Sequence, residues 1–167
     1  VPQDTVLFGA TARENIRYYA ELRGIDAARS ERTLARFAEW LDMKQLLDRR
    51  TEGFSQGERM KVAITRALIH EPGTVILDEP TNGLDVMSTR ALRDLIKRLK
   101  AEGQTVMFSS HVMQEVAALC DEIIIIAHGQ VTAQGSTRQL LEQSGKDNLE
   151  DAFVALAGIP DDHQEAA

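Results

Sequence analysis

The chain has 167 residues, of which 43% are hydrophobic and 27% are charged, and its formal net charge is -7. This ordinary globular composition excludes the disordered and fibrous classes of protein. The longest aliphatic block, Ile123 to Ala127, is far shorter than the ~18 apolar residues of a membrane-spanning helix. The single cysteine, Cys120, excludes an internal disulfide and a cysteine-based metal site.

The negative charge is concentrated at the C-terminus. Residues 147–167 contain six acidic and no basic groups, whereas residues 1–50 contain nine basic and eight acidic groups. An acidic chain lacks the broad positive field of a nonspecific nucleic-acid binder, so no nucleic-acid partner is expected. We interpret the arginines near the N-terminus as a solvated helix face, with local contact to an acidic partner as the alternative.

Residues 1–53 predict helices and no strand. Thr11 and Glu14 have capping-box spacing, and apolar residues then recur at helical intervals, which predicts a helix over about 12–23. A second amphipathic pattern, which includes Trp40, predicts another helix. These residues are therefore interpreted as a helical subdomain.

Residues 54–146 alternate helical patterns with short β-rich runs, which is typical of a parallel sheet with crossover helices. A helix over 56–70 precedes a buried-type strand at Thr74–Leu77, and Asp85 can cap the next helix. The later predicted elements are a strand over 105–109, a helix over 112–119, strands over 122–127 and 131–133 joined by a turn, and a helix over 137–143. Residues 147–167 form a third segment, a C-terminal helix with an acidic tail.

Two adjacent carboxylates, Asp78 and Glu79, directly follow the strand that ends at Leu77. Ligands bind at the carboxyl edge of open α/β sheets, so both acids are candidate site residues. An aspartate there can hold Mg²⁺, and the neighbouring glutamate, which points differently because strand side chains alternate, can activate a water molecule. The alternative is an acid pair at the start of a helix that follows a core strand.

Residues 55–58, Ser-Gln-Gly-Glu, open the helix predicted from residue 56. A helix N-terminus with a glycine and a serine hydroxyl is suited to binding phosphate. Ser55 and Glu58 also form a capping box, which is the alternative interpretation. His111 follows the next predicted strand, so its imidazole is expected at the same sheet edge as the two carboxylates, with a structural histidine as the alternative.

In this order and spacing, five motifs resemble those of the ATP-binding subunits of ABC transporters, over essentially the whole chain. The resemblance is especially good to bacterial ABC-2 type exporter ATPases of the sodium and multidrug efflux kind. The matching residues are Gln3 at the end of a Q-loop, residues 54–58 as the signature motif, Asp78 and Glu79 as the Walker B aspartate and catalytic glutamate, residues 82–85 as the D-loop, and His111 as the switch histidine.

The resemblance implies a P-loop NTPase-like fold of the α/β class, in which helices flank a parallel sheet and residues 11–48 form an inserted α-helical subdomain. It also implies ATP and Mg²⁺ as bound groups and ATP hydrolysis as the activity. The implied site residues are Glu79, His111 and Gln3 for catalysis, Ser55, Gln56, Gly57, Glu58 and Asp85 for nucleotide binding, and Asp78 with Gln3 for the metal.

The partners implied by the resemblance are an integral membrane permease subunit and a second ATPase subunit arranged head to tail. Such a protein is cytoplasmic and lies peripherally on the inner face of the cell membrane. The helical subdomain would dock on the permease, and Gln3 would couple the nucleotide site to it.

The sequence departs from the family pattern in two places, and these departures change what we expect of ATP binding by this chain. The signature segment carries Gln56 and Glu58 where the common form has glycine and glutamine. No G-x-x-x-x-G-K-[ST] loop occurs, since the one Gly-Lys pair, at Gly145, is followed by Asp147. We therefore expect a fragment that begins at the Q-loop, lacks the N-terminal strands and phosphate loop, and binds ATP weakly or not at all on its own.

Two other functions are weighed against the exporter ATPase. One is an ABC-type ATPase that acts on nucleic acid or ribosomes, whose relatives carry long coiled coils, zinc modules or tandem ATPase domains, none of which this sequence shows. The other is a noncatalytic remnant or regulatory domain, which the missing phosphate loop makes possible. The short helical segment favours the transporter ATPase.

Overall fold

A computed structural model describes residues 7–158 of the chain. The predicted Q-loop residue Gln3 and the acidic tail after Gly158 lie outside these residues. The chain forms two compact units whose boundary lies between Ser110 and His111, and each is described by itself. The boundaries predicted after residues 53 and 146 concern functional segments and stay predictions.

The first unit begins with helices that bury apolar stripes against one another. Thr11 and Ser55 cap two of them with complete capping boxes, and Asp26 caps a third, as their side chains accept hydrogen bonds from free backbone N–H groups. The elements are α1 (Ala12–Leu22), α2 (Ala27–Trp40), a 3₁₀ turn (Lys44–Leu46) and α3 (Gln56–Leu68). The fully buried apolar side chains of this part of the unit include Ile16, Leu34, Phe37, Met43, Ile64 and Leu68.

A β-α-β unit completes the first unit. Strand β1 (Thr74–Leu77) leads through helix α4 (Val86–Ala101) to strand β2 (Thr105–Phe108), and the two strands pair in parallel. This arrangement confirms the predicted crossover helix, which is the usual connection between parallel neighbouring strands. The register opposes Leu77 to Phe108, so both strands end at the same edge.

The prediction that β1 is a fully buried strand is wrong for one of its faces. Val75 and Leu77 are 4% and 1% exposed, whereas Ile76 between them is 61% exposed. Successive strand side chains point to opposite faces, so Val75 and Leu77 lie on a covered face and Ile76 on an exposed one. Helix α4, whose residues Leu92, Leu95, Ile96 and Leu99 are buried, contacts the neighbouring strand β2. An aliphatic run alone does not reveal that a strand is covered on one side only.

The second unit is a β-hairpin packed with three helices. Its elements are α5 (Met113–Leu119), β3 (Ile123–Ala127), β4 (Gln130–Gly135), α6 (Thr137–Ser144) and α7 (Leu149–Ala157). The expected parallel arrangement does not extend to β3 and β4, which are antiparallel. The physical reason is the two-residue turn at His128 and Gly129, whose φ angles of 51° and 75° suit a tight hairpin, whereas parallel strands need a long crossover.

Candidate functional site

The signature segment lies at the N-terminus of α3. Ser55 is the N-cap: its Oγ accepts from the backbone N–H of Glu58 at 3.2 Å, and the Glu58 carboxylate accepts from the N–H of Ser55 at 2.8 Å. The capping box weighed as the alternative is therefore present. A phosphate role for Ser55 is a separate property of the same turn and stays a prediction.

The Glu58 carboxylate has a second partner. Arg49 donates to its other oxygen at 3.0 Å, and the same guanidinium lies 5.1 Å from the ring centroid of Phe54. The pKa of Glu58 is lowered, chiefly by the hydrogen bond from the Ser55 N–H; burial, the next largest effect, opposes this, and Arg49 lowers the pKa further. Since both oxygens are occupied, the structure uses Glu58 to hold the helix start, and a nucleotide contact stays a prediction.

Acidification is expected to destabilise the first unit through its helix caps. Glu14, Glu58 and Asp85 have lowered pKa values because backbone N–H groups of Thr11, Ser55 and Ser88, in that order, donate to them. A carboxylate with a folded-state pKa below its unfolded value stabilises the fold above the unfolded pKa, about 4 to 4.5. That contribution is lost as the pH falls through the folded-state pKa.

Urea unfolding followed by the fluorescence of Trp40 measures this dependence. Stability should fall between about pH 5 and about pH 3, and Glu58→Gln should reduce the size of that fall, because glutamine does not titrate. The control is Glu39→Gln, which changes an exposed glutamate that faces Lys44 and caps no helix. Identical pH dependence in wild type and Glu58→Gln would contradict the prediction.

The segment that follows β1 carries the D-loop residues and starts α4. Asp85 is the N-cap of α4, as predicted: one carboxylate oxygen accepts from the N–H groups of Met87 and Ser88 at 2.9 Å each. The other oxygen accepts from the Ser88 hydroxyl at 2.7 Å. This loop touches the start of α3, where Gln56 Nε2 donates to the carbonyl oxygen of Asn82 at 3.0 Å.

The carboxylates Asp78 and Glu79 lie at the carboxyl edge of β1. Asp78 is exposed and Glu79 is half-buried. The backbone of Glu79 has φ +41°, in the left-handed region that a non-glycine residue rarely adopts. Such conformations persist only where neighbouring groups hold them, and they concentrate at functional sites.

Ser109, directly after β2, joins the two acids. Its Oγ accepts from the Glu79 N–H at 2.7 Å and donates to Asp78 Oδ1 at 2.8 Å. Sequence reasoning placed Ser109 at the end of the second strand and gave it no role in the site. The register of the two parallel strands would have revealed this role of Ser109. Because Leu77 pairs with Phe108, the next residues along the two strands, Asp78 and Ser109, are neighbours.

A magnesium ion is compatible with the donors present. Within residues 7–158, no three His, Cys, Asp or Glu side chains are grouped to hold a metal ion. Mg²⁺ in phosphoryl-transfer sites usually keeps several waters and binds through one or two carboxylates together with substrate phosphates. The exposed carboxylate of Asp78 at the strand end is an oxygen ligand of this kind, so the donor set fits an ion held jointly with a nucleotide.

The predicted site residues thus fall into groups. The structure brings Gln56 and Gly57 together with the loop of residues 82–85, and it brings Asp78 together with Glu79. His111 is exposed and lies in the second unit. The Gly145 of the Gly-Lys pair has φ +67° and ends helix α6, which makes it a helix C-cap.

Comparison with known proteins adds a second line of observation. Residues 1–82 match the family described as ABC transporter. The chain is 40% identical over 158 residues to the ABC transporter ATP-binding protein NatA of Bacillus subtilis (strain 168), covering 90% of this chain and 64% of NatA. It is 33% identical over 150 residues to the linearmycin resistance ATP-binding protein LnrL of the same organism, covering 89% of this chain and 48% of LnrL.

A solved structure of the ATP binding subunit of an ABC transporter has a TM-score of 0.84 and 30% sequence identity to this chain, covering 93% of this chain and 66% of that one. The chain therefore spans about half to two thirds of the length of these relatives. Their matches run through the signature segment, the β-α-β unit and its terminal carboxylates. On this combined sequence and structural similarity, the chain resembles ABC transporter ATP-binding proteins, and its residues 1–82 match the family described as ABC transporter.

Proposed function

We propose that this chain is part of an ATP-binding and ATP-hydrolysing subunit that powers a membrane exporter, of the ABC-2 type that serves sodium and multidrug efflux. The observation that carries the proposal is the pair Asp78 and Glu79, held by Ser109 at the carboxyl edge of β1. The names of the relatives NatA and LnrL, both ATP-binding proteins, support the same activity.

In the proposed reaction, Glu79 is the general base. Its carboxylate accepts a proton from the water that attacks the γ-phosphate, and the hydrogen bond from its N–H to Ser109 fixes the backbone from which that side chain extends. Asp78 would hold Mg²⁺, which when bound neutralises charge on the phosphate oxygens. The roles implied for His111 and Gln3 are contacts to the γ-phosphate, and for Gln3 also to the metal.

One proposed partner is another ATPase subunit arranged head to tail. Ser55 and Gly57 of one subunit would then face the γ-phosphate held by the other, with Gln56, Glu58 and Asp85 nearby. Two exposed apolar side chains follow Asp85 directly: Val86 is 82% exposed and Met87 is 70% exposed. Apolar surface next to polar site residues is typical of a protein interface, which supports a partner at this edge.

The other proposed partner is a membrane permease subunit. None of the helices within residues 7–158 combines the length and apolar character needed to cross a bilayer. We assign the contact with the permease to the helical segment of residues 11–48 and to Gln3. The proposed location is the cytoplasmic face of the cell membrane, where the permease would hold this subunit peripherally.

Calorimetric titration of ATP with Mg²⁺ tests the proposal. The 167-residue chain is expected to bind weakly or not at all, because its sequence lacks the amide cradle and lysine of a phosphate loop. A version extended at its N-terminus by the strands and the G-x-x-x-x-G-K-[ST] loop of the family pattern is expected to bind ATP and hydrolyse it. Micromolar affinity of the 167-residue chain would contradict the first expectation, and an extended version without binding would overturn the proposed function.

A further inference from the structure

The side chain of Gln56 lies against a turn that belongs to another part of the site. Gln56 is the first residue of α3, and its Nε2 donates to the carbonyl oxygen of Asn82 at 3.0 Å. Gly83, the next residue, has φ +69°, and a Cβ built there would lie 2.6 Å from Nε2 and 2.7 Å from Oε1 of Gln56. The amide of Gln56 therefore occupies the space that a Cβ atom would need at position 83, which is free only because this residue is a glycine.

A second close contact lies one residue further along α3. Gly57 is buried, and a Cβ at this position would lie 2.3 Å from the hydroxyl oxygen of Ser88 and 3.2 Å from Oδ2 of Asp85. Those two groups are hydrogen-bonded to each other in the cap of α4. The backbone at the start of α3 thus packs directly on the start of α4, and Gln56 adds a hydrogen bond beside this contact.

We propose that the side chain of Gln56 holds the turn at Asn82 and Gly83 against the N-terminus of α3, through its hydrogen bond and its contact with Gly83. We call this contact the latch. The signature segment and the loop that leads to Asp85 then move as one element. Gln56 is a positioning residue in this scheme, and the consequence for catalysis rests on the proposed function.

Backbone hydrogen bonds of the turn connect the residue that Gln56 contacts, Asn82, to Glu79. The N–H of Asn82 donates to the carbonyl oxygen of Glu79 at 3.1 Å, and the N–H of Leu84 donates to that of Thr81 at 3.2 Å. A shift of α3 that pulls on the carbonyl of Asn82 therefore pulls on a turn whose first member is Glu79. Without the hydrogen bond of Gln56, the packing of Gly57 on Ser88 and Asp85 would remain between the two site segments.

Amide hydrogen exchange of the 167-residue chain tests the latch. Gln56→Glu keeps the length of the side chain, removes the donor, and places a carboxylate oxygen beside the carbonyl of Asn82. The amides of Asn82 and Leu84 should exchange about threefold to tenfold faster, as expected for the loss of one hydrogen bond. The amides of α1 should keep their rates, which shows that the unit stays folded.

Gln45→Glu is the matched control. Gln45 is also an exposed glutamine whose Nε2 donates to a backbone carbonyl of a turn, that of Asp42 at 3.2 Å. This variant should leave the exchange of Asn82 and Leu84 unchanged. Unchanged exchange of these two amides in Gln56→Glu would overturn the proposal.

A double-mutant cycle tests the contact with Gly83 independently. Gly83→Ala should raise the unfolding equilibrium constant both through its positive φ and through the clash with the Gln56 amide. In the background of Gln56→Ala the clash is gone, so the combined fold-change should be smaller than the product of the separate ones. Gly103→Ala, at φ +82° with no atom within 4 Å, should combine with Gln56→Ala as a simple product. A simple product for Gly83→Ala as well would overturn the latch.

The extended version that carries a phosphate loop separates failure of the latch from failure of the proposed function. There, Gln56→Glu should lower kcat for ATP hydrolysis about threefold to tenfold, the same range as one lost hydrogen bond, with KM nearly unchanged. Gln45→Glu should leave both constants unchanged. If exchange at Asn82 accelerates but the wild-type extended version does not hydrolyse ATP, the latch stands and the function fails. Accelerated exchange with unchanged kcat would refute the positioning role.

Discussion

Replacing Glu79 with glutamine is expected to lower the rate of ATP hydrolysis about 10²- to 10⁴-fold, the usual contribution of a general base. The measurement uses the version of the protein extended by a phosphate loop. Glutamine has nearly the same shape as glutamate and keeps the backbone N–H that donates to Ser109, but its amide cannot accept the proton of the attacking water. The affinity for ATP should therefore stay nearly unchanged while kcat falls.

Steady-state hydrolysis and calorimetric binding of ATP, measured on the same preparations, distinguish these two effects. The control is Glu39→Gln, because the Glu39 side chain is 70% exposed and pairs only at the surface with Lys44. It should leave both hydrolysis and binding unchanged. Equal hydrolysis rates for wild type and Glu79→Gln would remove Glu79 from the role of general base.

Leu77→Ala is expected to reduce the free energy of unfolding of the first unit by about 2–5 kcal/mol, as large-to-small changes in a protein core do. Leu77 is 1% exposed and is the last residue of β1, directly before the two carboxylates. The loss combines the transfer free energy of the removed methyl groups with the cavity that they leave. A loosened strand end would also loosen the backbone that carries Asp78.

Ile76→Ala is the matched control, since it changes a side chain of equal size in the same strand on the opposite face. Ile76 is 61% exposed, so its replacement should cost about 1 kcal/mol or less, mainly through the β-propensity of alanine. Urea unfolding of the 167-residue chain, followed by Trp40 fluorescence, measures both. Equal losses would contradict the assignment of Leu77 to a covered face of β1 and of Ile76 to an exposed one.

Local patterns were sufficient to predict most of the fold. The capping boxes of α1 and α3 and the cap of α4 at Asp85 are present where their side chains predicted them. The strand of residues 74–77 has its predicted bounds. Helix starts are predictable because a cap depends on residues within one turn of each other, and a short aliphatic run between turn residues defines a strand in the same local way.

The covering of strand faces was not predictable from such patterns. Ile76 and Leu77 are both aliphatic, and only the packing of the folded unit against one face of the strand buries Leu77 and leaves Ile76 exposed. The turn at His128 and Gly129 was predicted from the sequence and is present; its φ angles give β4 an antiparallel direction, which the parallel pattern inferred for residues 54–146 as a whole does not include.

For the site, the order of motifs along the chain identified the acids, the signature segment and the family. It did not reveal how these groups are held. Ser109 joins Asp78 to Glu79 across about 30 residues of chain, and Gln56 reaches Asn82 from 26 residues away. Such contacts depend on the register of two strands and on the packing of one helix start against another, which are set by burial across the whole unit. Residue types and spacing therefore determine which chemistry is available here, and the packed tertiary structure determines which of these groups hold one another in position.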